Sequence, residues 1–597
     1  MQDTSVPLPN DITAIANYSQ QPRKVWSRRL SILISSLSFA IFLGWDWVTR
    51  RLQRNQQLRA KMLVQKLIKL GPTFIKLGQV LSCRPDLIPP VYVDELGNLQ
   101  DKLPPFPNEQ AYKVIEEELG SPYNEIYAEL NPQPVAAASL GQVYKGKLHT
   151  GEIVAVKVQR PGIIEILRLD IYLLQQLAAW VQKNVPFIHT NIRALTDELA
   201  NTIFKEMDYV QEGANAEKFA KLYGNLPHIF VPRIHKLYTT NRVLTMEWVN
   251  GAKITSNEVS QGQGGLKPND VIALEFKFSL QQLLKGGFFH ADPHPGNILI
   301  TPEGKLAYLD FGMMSEVEPE TRDFLIVFFL HLIAGDFPAL AQDLVSLKFL
   351  PPDTDLVPLI PKLEKMFANI RETSIAEFGF KQIFEKLLGL VYEYSWQIPK
   401  FYVLVFRCFA TIEGIALKFN PDFQAYKVGY PYIAQWVLTN KSPILWDALQ
   451  NFCLSNKTIQ WELVSDLLDN IYQSEDFNLY LTSERMLEFL YSPQGKPLRS
   501  VLVNEVVTSL ESMSKNSLQE VMSWSLAIIT PLPSTMRLMK ILDVIQQFIS
   551  KFSQVNHLNF LSIQELSQLY LRPELKRLVK EIVNQLYRRI LVGFSQI

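Results

Sequence analysis

The sequence predicts an α+β protein in which a small, mostly β lobe is followed by a larger, helix-rich lobe. Regularly spaced valines in residues 136–162 predict two strands joined by a turn at Thr150-Gly151. Residues 298–312 predict a second hairpin, around Gly304. Beyond residue 319 nearly every stretch has a helical pattern. This order suggests an architecture of two lobes with the chemistry at their junction.

Length and charge restrict the class of protein. A chain of 597 residues is too long for one compact core, and predicts roughly two to four structural units. Lysine plus arginine balance aspartate plus glutamate at 59 each, without the positive excess of a nucleic-acid-binding protein. Cys83, Cys408 and Cys453 are far apart and lack metal-ligand spacing. We therefore expect a reducing compartment and no disulfide framework.

Residues 30–48 are apolar apart from scattered serines and Asp46, with arginine pairs on both sides. A signal peptide fits poorly, because a long, mostly polar stretch precedes this segment and no cleavage pattern follows it. Three interpretations remain: an interfacial or re-entrant anchor, a single span and a buried core helix. Trp45, Trp47 and the arginine pairs suit an interface. We expect the segment to attach the protein to a membrane, either lying on it or spanning it.

The remaining elements are predicted in order along the chain. They are a helical region in 51–119, the strand pair in 136–162, a long helical region in 163–222, strands in 230–237 and 242–249, a loop in 260–265, a helix in 271–285, the second hairpin and a helical tail. Near the end of the tail, apolar residues from Leu575 to Ile590 form one helical stripe beside basic residues. That stripe can face the core or, alternatively, an anionic membrane surface.

The loop FFHADPHPGNILI, residues 288–300, carries two histidines and an aspartate. On an extended strand His290, Asp292 and His294 would share a face and could hold a catalytic metal. Prolines at 293 and 295 oppose a hydrogen-bonded strand, and no HExxH motif or cysteine pair accompanies the loop. A structural role for the histidines is therefore favoured over a transition-metal site.

The same loop fits phosphate chemistry when it is combined with two other motifs. Asn297 follows Asp292 by five positions, and Asp310 of LDFG follows it by eighteen. Phosphoryl transfer from ATP needs an oriented carboxylate and oxygen ligands for Mg²⁺. Upstream, Lys157 lies in the apolar strand IVAVKV, where it could contact nucleotide phosphates or extend to solvent at a strand edge. The combination predicts an ATP site.

An acidic partner for Lys157 is predicted on a later helix. Residues 196–219 offer Glu206, Asp208 and Glu212. At about 100° per residue, Asp208 and Glu212 share a face of a continuous helix, whereas Glu206 does not. One helix could therefore direct Glu212 to Lys157 and Glu206 to a different partner.

With these residues in place, the sequence resembles the UbiB family of atypical kinases, also called AarF-domain kinases. Four motifs carry the resemblance: KLGQ at 76–79, AAAS at 136–139, EMD at 206–208 and HADPHPGN at 290–297. The similarity covers residues 61–315. It implies a bilobal protein-kinase-like fold, an N-terminal helical extension over the active site and a helical C-terminal region. It also implies a role in ubiquinone or related isoprenoid-quinone metabolism.

The resemblance implies a role for each residue of the predicted ATP site. Lys157 is expected to contact the nucleotide phosphates, with Glu212 as its helix partner. Asn297 and Asp310 are expected to be the Mg²⁺ ligands. Asp292 takes the place of the catalytic-loop aspartate of protein kinases.

Two further segments are implied to bind the nucleotide. An alanine-rich loop replaces the glycine-rich loop of ordinary kinases, and LTMEWVNG at 244–251 resembles the hinge between the lobes. Alanine can present backbone N–H groups but resists positive φ, so the loop should be stiffer. The residues implied are Ala136, Ala137, Ala138 and Ser139 in the loop and Glu247 and Val249 in the hinge.

The helical extension is implied to restrict access to the site. Lys76 and Gln79 share a helix face and would lie near Glu206 and Asp208. For these residues alone, a solvated amphipathic helix is the simpler interpretation. If Lys76 pairs with Glu206 or Asp208, it occupies space that a protein substrate needs. That arrangement favours ATP hydrolysis, or action on a small or lipid substrate.

The predicted domain order has five parts. They are a polar N terminus with the membrane-anchoring segment (1–55), the helical extension (56–125), a kinase-like N-lobe (126–250), a kinase-like C-lobe (251–430) and a helical C-terminal region (431–597). The last region carries no recognised functional motif.

The leading hypothesis is a membrane-associated, Mg-ATP-binding atypical kinase or ATPase that serves isoprenoid-quinone or related lipid metabolism. The expected cofactors are ATP or ADP and Mg²⁺. The expected partners are a membrane lipid or prenyl-quinone precursor and enzymes of quinone biosynthesis, and no nucleic acid. The active site is expected to face the bacterial cytoplasm or its organelle equivalent. A nucleotide-switched scaffold for lipid extraction or complex assembly, and an orthodox protein kinase, remain alternatives.

Overall fold

The computed structural model describes most of the chain. The described residues are 22–82, 88–97, 99, 104–184, 192–260, 262, 265–367, 383, 386–387, 390, 399–455, 457–472, 478–511 and 572–594. Contacts divide the chain into two compact units. The first comprises Met1–Glu275, Phe288–Glu316 and Phe384–Pro421, and the second comprises Phe276–Gly287, Val317–Ile383 and Asp422–Ile597. The polar N terminus and the stretch 512–571 of the predicted C-terminal region lie outside the described residues.

Helices dominate the described chain. The first eleven are α1 (Pro22–Val48), α2 (Leu52–Leu70), α3 (Pro72–Ser82), α4 (Pro90–Gly97), α5 (Asn108–Leu119), α6 (Tyr123–Ile126), α7 (Ile163–Asn184), α8 (Ile192–Glu206), α9 (Tyr209–Tyr223), α10 (Asn257–Ser260) and α11 (Pro268–Gln281). The others are α12 (Pro319–Ala334), α13 (Phe337–Ser346), α14 (Ile360–Phe367), α15 (Lys400–Phe419), α16 (Ala425–Thr439), α17 (Pro443–Cys453), α18 (Trp461–Tyr472), α19 (Leu479–Leu490), α20 (Lys496–Glu511) and α21 (Pro573–Phe594).

The strands are short and lie mainly in the first unit. They are β1 (Tyr127–Leu130), β2 (Ala136–Ala137), β3 (Gly141–Leu148), β4 (Ile153–Gln159), β5 (Ile229–Phe230), β6 (Val243–Glu247), β7 (Ala252–Lys253), β8 (Phe288–His290), β9 (Ile298–Ile300), β10 (Leu306–Tyr308), β11 (Met314–Glu316), β12 (Leu454–Ser455) and β13 (Thr458–Ile459). The mixed helix and sheet content confirms the predicted α+β class.

A five-stranded antiparallel sheet forms the β-rich part of the first unit. Its order is β1-β3-β4-β6, and β2 pairs with the start of β3. Val154, Val156 and Val158 of β4 are fully buried on one face, where they pack against the apolar side of α5. Because successive side chains of a strand point to opposite faces, Lys157 projects to the other face. The predicted strand pair is confirmed, and its alternation determines where Lys157 points.

A second sheet carries the loop motifs. Its order is β5-β10-β9-β7, and β9 and β10 form the predicted hairpin, with Tyr308 opposite Ile298. A separate ribbon pairs β8 with β11, with His290 opposite Met314. The two ends of the segment 288–316 are thereby held together. Its polar residues consequently lie in a closed loop rather than on a long exposed one.

The N-terminal helices form a packed layer in the same unit. Buried residues of α1, α2, α3, α4 and α7 make one apolar cluster, which includes Ile32, Leu67, Phe74 and Leu173. A second cluster joins α7 to α8 through Leu167 and other buried side chains. Most of α1 is nevertheless exposed. This helix is long and apolar enough to cross a membrane, but only 11% of its most apolar stretch of 18 residues is buried in the protein. The interpretation of residues 30–48 as a buried core helix is therefore wrong.

Two of the predicted regions are interrupted in the structure. The region 230–237 is not a continuous strand: it contains the end of β5, an isolated antiparallel bridge between Ile234 and Met246 of β6, and the start of a 3₁₀ turn at Lys236–Tyr238. Pro232, between β5 and the bridge, has no N–H to donate to a strand. The predicted helical region 163–222 is confirmed, and its described residues are divided among α7, α8 and α9. The break between α8 and α9 falls at Asp208, whose extended backbone and side chain begin the next helix.

In the second unit, α20 and α21 pack against each other. Val503 and Val507 of α20 are buried with Leu586 of α21, and Leu578 and Ile582 pack against them. These α21 residues belong to the predicted apolar stripe. The core-facing alternative for that stripe is therefore confirmed.

Candidate active site

β4 and α9 bring Lys157 and Glu212 together. The Lys157 ammonium donates to both carboxylate oxygens of Glu212 at 2.8 Å, and it lies 3.3 Å from Oδ2 of Asp310. The Glu212 side chain is 3% exposed, so its charge depends on this lysine. The three predicted residues therefore form one cluster, with Lys157 at its centre.

Burial and neighbouring charges act against each other in this cluster. Burial raises the pKa of Glu212 to about 7; the Lys157 ammonium opposes that rise and the Asp310 carboxylate adds to it. Burial acts to lower the pKa of Lys157. The carboxylates of Asp310 and Glu212 outweigh burial, so the pKa of Lys157 lies well above its ordinary value. Asp310 is only partly buried; burial acts to raise its pKa, but Lys157 and the N–H of Gly312 outweigh burial and lower this pKa to about 2. A second cation near this cluster would relieve the carboxylate repulsion.

The break between α8 and α9 separates the acidic residues that a single helix was expected to carry. The side chain of Asp208 accepts from the N–H groups of Val210 and Gln211, both at 3.1 Å, and so caps α9. Glu206 ends α8, whereas Glu212 lies in the first turn of α9. Expecting one continuous helix was wrong, because the capping aspartate stops the first helix. Glu206 and Glu212 still reach different partners.

The loop after β8 is organised by His290. Its Nε2 donates to the carbonyl oxygen of Asp310 at 2.6 Å, and its Nδ1 accepts from the N–H of Asp292 at 3.1 Å. Burial lowers the pKa of this imidazole, which agrees with a neutral ring using one nitrogen as donor and the other as acceptor. Both ring nitrogens are thus occupied, which supports the structural role over metal binding. Within the described ranges, no cluster of three His, Cys, Asp or Glu residues has metal-binding geometry.

Asn297 and Asp310 lie at the base of the β9–β10 hairpin. The N–H of Leu309 donates to the carbonyl oxygen of Asn297 at 2.9 Å, which places Asn297 beside the residue that precedes Asp310. Oδ1 of Asp310 accepts from the N–H of Gly312 at 2.9 Å, which fixes the carboxylate rotamer. An amide oxygen and an ionised carboxylate are ligands that Mg²⁺ prefers. The donor set therefore fits a magnesium ion.

Asp292 makes a contact that the sequence motifs did not suggest. Nη2 of Arg407, on α15, lies 2.7 Å from Oδ1 of Asp292, and the two side chains are 22% and 25% exposed. Burial raises the pKa of Asp292, but the guanidinium outweighs burial and holds this pKa below its ordinary value. Arg407 lies 115 positions away in sequence, where it is the one charged residue of the apolar stretch FYVLVFRCFATI. A largely buried charge in such a helix needs a partner of opposite charge, so the sequence could have indicated that Arg407 forms an ion pair.

The helical extension reaches the same cluster through α3. Lys76 lies 2.6 Å from Oε2 of Glu206, with both side chains nearly buried at 11% and 12% exposure. Gln79, one turn later, donates to the carbonyl oxygen of Leu99 at 3.3 Å. The Lys76 ammonium also contributes to the low pKa of Asp310. Of the two expected acidic partners, Glu206 is the one that pairs with Lys76, while Asp208 serves as the cap of α9.

The alanine-rich loop forms a tight hairpin beside the cluster. Ala136 and Ala137 pair with β3, and the N–H of Ala138 donates to the carbonyl oxygen of Gly141 at 2.8 Å. No alanine of this loop has positive φ. Ser139 is fully buried, and its hydroxyl has no hydrogen-bond partner among the described residues.

The predicted hinge leaves the sheet at the end of β6. Glu247 is the last residue paired with β4, opposite Val154, and its carboxylate accepts from the N–H of Arg233 at 3.2 Å. Val249 is buried two residues later. The segment therefore starts from the same sheet that presents Lys157.

A strand lysine held by a helix glutamate, an aspartate in the loop after β8 and an Asp-Phe-Gly segment are the features of a kinase-like domain. The alanine-rich loop and the Lys76 extension set it apart from ordinary protein kinases. The sequence profile of the ABC1 atypical kinase-like domain matches residues 98–344. The chain belongs to this family, the UbiB/AarF family of atypical kinases.

Relatives from cyanobacteria and plants are similar over most of the chain. The uncharacterized protein sll0005 of Synechocystis is 46% identical over 504 residues, which cover 84% of this chain and 74% of that protein. The chloroplastic protein Activity of bc1 complex kinase 3 of Arabidopsis thaliana is 42% identical over 498 residues, 83% of this chain and 70% of that protein. A chloroplastic aarF domain-containing protein kinase of Arabidopsis thaliana is 38% identical over 510 residues, with 83% and 72% covered.

Proposed function

We propose that the protein is a Mg-ATP-binding atypical kinase or ATPase that acts at a membrane in isoprenoid-quinone or related lipid metabolism. The observation that supports this proposal most directly is the position of Lys157, which contacts Glu212 and Asp310 at the same time. Phosphoryl transfer requires both the lysine–glutamate pair and the metal-binding aspartate to be in place.

Bound Mg-ATP would supply the phosphoryl group that is transferred. Asn297 and Asp310 would hold the ion, since the two offer the oxygen donors that fit it. Lys157 would contact the nucleotide phosphates, and the hairpin of the alanine-rich loop and the segment from Glu247 would border the nucleotide. Asp292 would orient the attacking hydroxyl or water.

The acceptor is proposed to be water or a small or lipid molecule rather than a protein. The Lys76–Glu206 pair occupies space beside the cluster, and a protein substrate would have to displace it. Three chloroplastic relatives from Arabidopsis thaliana are named for the activity of the bc1 complex, which agrees with a role near quinone-dependent membranes. A prenyl-quinone precursor and the enzymes of its synthesis are the proposed partners. The proposed location is a membrane facing the bacterial cytoplasm or its organelle equivalent.

The contact between Asp292 and Arg407 favours a second candidate function. A carboxylate held by a guanidinium is a poor proton acceptor. Nucleotide binding without turnover would then serve to change the shape of a scaffold that extracts lipid or assembles a complex.

One assay separates these candidates: ADP release from Mg-ATP by the purified protein, with and without liposomes that carry a quinone-headed lipid. We expect turnover that rises with the lipid and is lost in Asp310→Asn. Asp353→Asn, at an exposed position, is the matched control and should retain it. If the wild type shows no turnover while Asp310→Asn loses an ATP-dependent conformational change, the scaffold is favoured. Efficient phosphorylation of a protein in trans would refute the proposed occlusion by Lys76.

A further inference from the structure

The exposed face of α1 is a continuous apolar surface. Six of its exposed side chains recur at intervals of three or four residues, which places them on one side of the helix: Leu30, Leu33, Leu37, Ile41, Trp45 and Val48. Each is at least half exposed, from 51% at Leu33 to 70% at Val48. A helix of 27 residues is roughly 40 Å long, so the apolar face extends over a distance similar to the width of a small domain.

The opposite face of α1 is attached to the protein near both ends. Near its start, Arg28 donates to both carboxylate oxygens of the fully buried Asp170 on α7, at 2.6 and 2.7 Å. Near its end, Asp46 accepts two hydrogen bonds from Arg59 of α2, at 2.6 and 3.1 Å, and both side chains are buried. Between them, Lys66 of α2 contacts the hydroxyl of Ser38. The helix therefore lies lengthwise against α2 and α7.

This attachment is incompatible with a transmembrane position. If α1 crossed a bilayer while attached in this way, Arg59 and Lys66 would be carried into the hydrocarbon beside it. Charged side chains at that depth are strongly unfavourable, and α2 has polar residues along its length. An interfacial position has no such cost. The apolar face can enter the acyl chains of one leaflet while α2 and α7 remain in water.

The charge of residues 22–70 indicates the kind of membrane surface that α1 fits. Residues 22–70 contain eleven lysine and arginine residues, whereas Asp46, already paired with Arg59, is the single acidic residue. The whole chain has a net charge of zero, so the positive charge is concentrated here. Arg23 and Lys24 at one end of α1, and Arg50 and Arg51 at the other, are exposed. An apolar face between exposed cations is complementary to a bilayer with anionic headgroups.

We propose that α1 is an in-plane anchor that binds one leaflet of an anionic membrane and does not span it. The inference deepens the membrane association in the proposed function by specifying its geometry and lipid.

Vesicle binding tests the surface. The full-length protein, without nucleotide, is mixed with vesicles of phosphatidylcholine alone or of phosphatidylcholine with phosphatidylglycerol, and bound protein is separated by flotation. We expect binding to the anionic vesicles, and at least about a tenfold loss in the triple variant Leu37→Ser, Ile41→Ser, Trp45→Ser. Leu237→Ser, at an apolar position that is 88% exposed elsewhere in the first unit, should bind like the wild type. Equal binding by the triple variant would overturn the proposal.

Depth measurement tests the orientation. After Cys83, Cys408 and Cys453 are replaced by alanine, single cysteines introduced at positions 30, 37 and 48 are spin-labelled, and their depth in the vesicles is measured by collisional relaxation. An in-plane helix places all three at the same shallow depth. A spanning helix places position 37 about 10 Å deeper than position 30, which would refute the proposal while leaving membrane association intact. Neither assay needs ATP, so a protein that binds vesicles as expected but releases no ADP would contradict the proposed enzyme and not the anchor.

Discussion

Removal of the Arg407 charge should change how the protein responds to pH. Arg407→Met keeps most of the apolar stem of the side chain but leaves the Asp292 carboxylate without the guanidinium that now lies 2.7 Å away. In the wild type, the pKa of Asp292 lies below its ordinary value, so this carboxylate stabilises the fold above its unfolded-state pKa. That stabilisation is lost as pH falls through the folded-state pKa.

The size of the effect follows from the distance and the burial. Two unit charges about 4 Å apart attract by about 4 kcal/mol at an effective dielectric constant of 20. Breaking a fully buried pair typically costs about 3–5 kcal/mol. Here about a quarter of each side chain remains exposed, at 22% for Arg407 and 25% for Asp292, and water replaces part of the lost attraction. We therefore expect a loss of about 2 kcal/mol in the free energy of unfolding at neutral pH.

Thermal unfolding measured across a pH series is the appropriate assay. In Arg407→Met, burial acts without its main opposition, so the pKa of Asp292 should rise above its ordinary value. The stability difference from wild type should then be largest at neutral pH and shrink in acid, where Asp292 becomes protonated. Arg407→Lys keeps the charge and should lose much less. A difference that stays constant from acid to neutral pH would show that Arg407 acts through packing, and would refute the electrostatic explanation.

Substitutions at three other sites test the local structure. Asp208→Ala removes the cap of α9 and should lower the free energy of unfolding by about 1 kcal/mol in thermal unfolding. Asp208→Asn can still cap the helix and should lose much less, so equal losses in the two variants would exclude capping. Lys76→Met and Glu206→Gln should each cost about 3 kcal/mol, because each removes the 2.6 Å partner of a nearly buried charge. The double variant should cost less than the sum of the two losses, and additive losses in this cycle would contradict a direct pair. Gly141→Ala should cost about 1–3 kcal/mol in chemical denaturation, because its Cβ would lie 2.5 Å from a carbonyl oxygen of β4; unchanged stability would mean that the hairpin can shift.

Local patterns in the sequence were sufficient to predict the strand and the hairpin that carry the site residues. The valines of β4 alternate with Lys157, so their burial determined which face the lysine occupies. The hairpin was marked by Gly304, which has φ of +77°, a conformation that other residues rarely adopt. Asn297 and Asp310 could be placed together because they flank that hairpin.

Contacts between distant segments could not be predicted in the same way. Nothing near Asp292 in sequence specifies Arg407, because their pairing depends on how α15 packs against the loop after β8. The break before α9 was missed for a different reason. Asp208 is compatible with a helix interior by periodicity, and its capping role depends on backbone angles that periodicity does not report. Docking of α1 likewise depends on Asp170, which lies in a helix about 140 positions later.

The neutral imidazole of His290 has a mechanical consequence. One ring nitrogen is tied to the carbonyl of Asp310 and the other to the N–H of Asp292, so a single rigid ring connects the two acidic segments. A displacement of the Asp-Phe-Gly segment would be transmitted directly to the catalytic loop, because both hydrogen bonds join the rigid imidazole ring to backbone atoms. The two carboxylates should therefore move as one body. Protonation of the ring would replace its acceptor with a second donor and uncouple them.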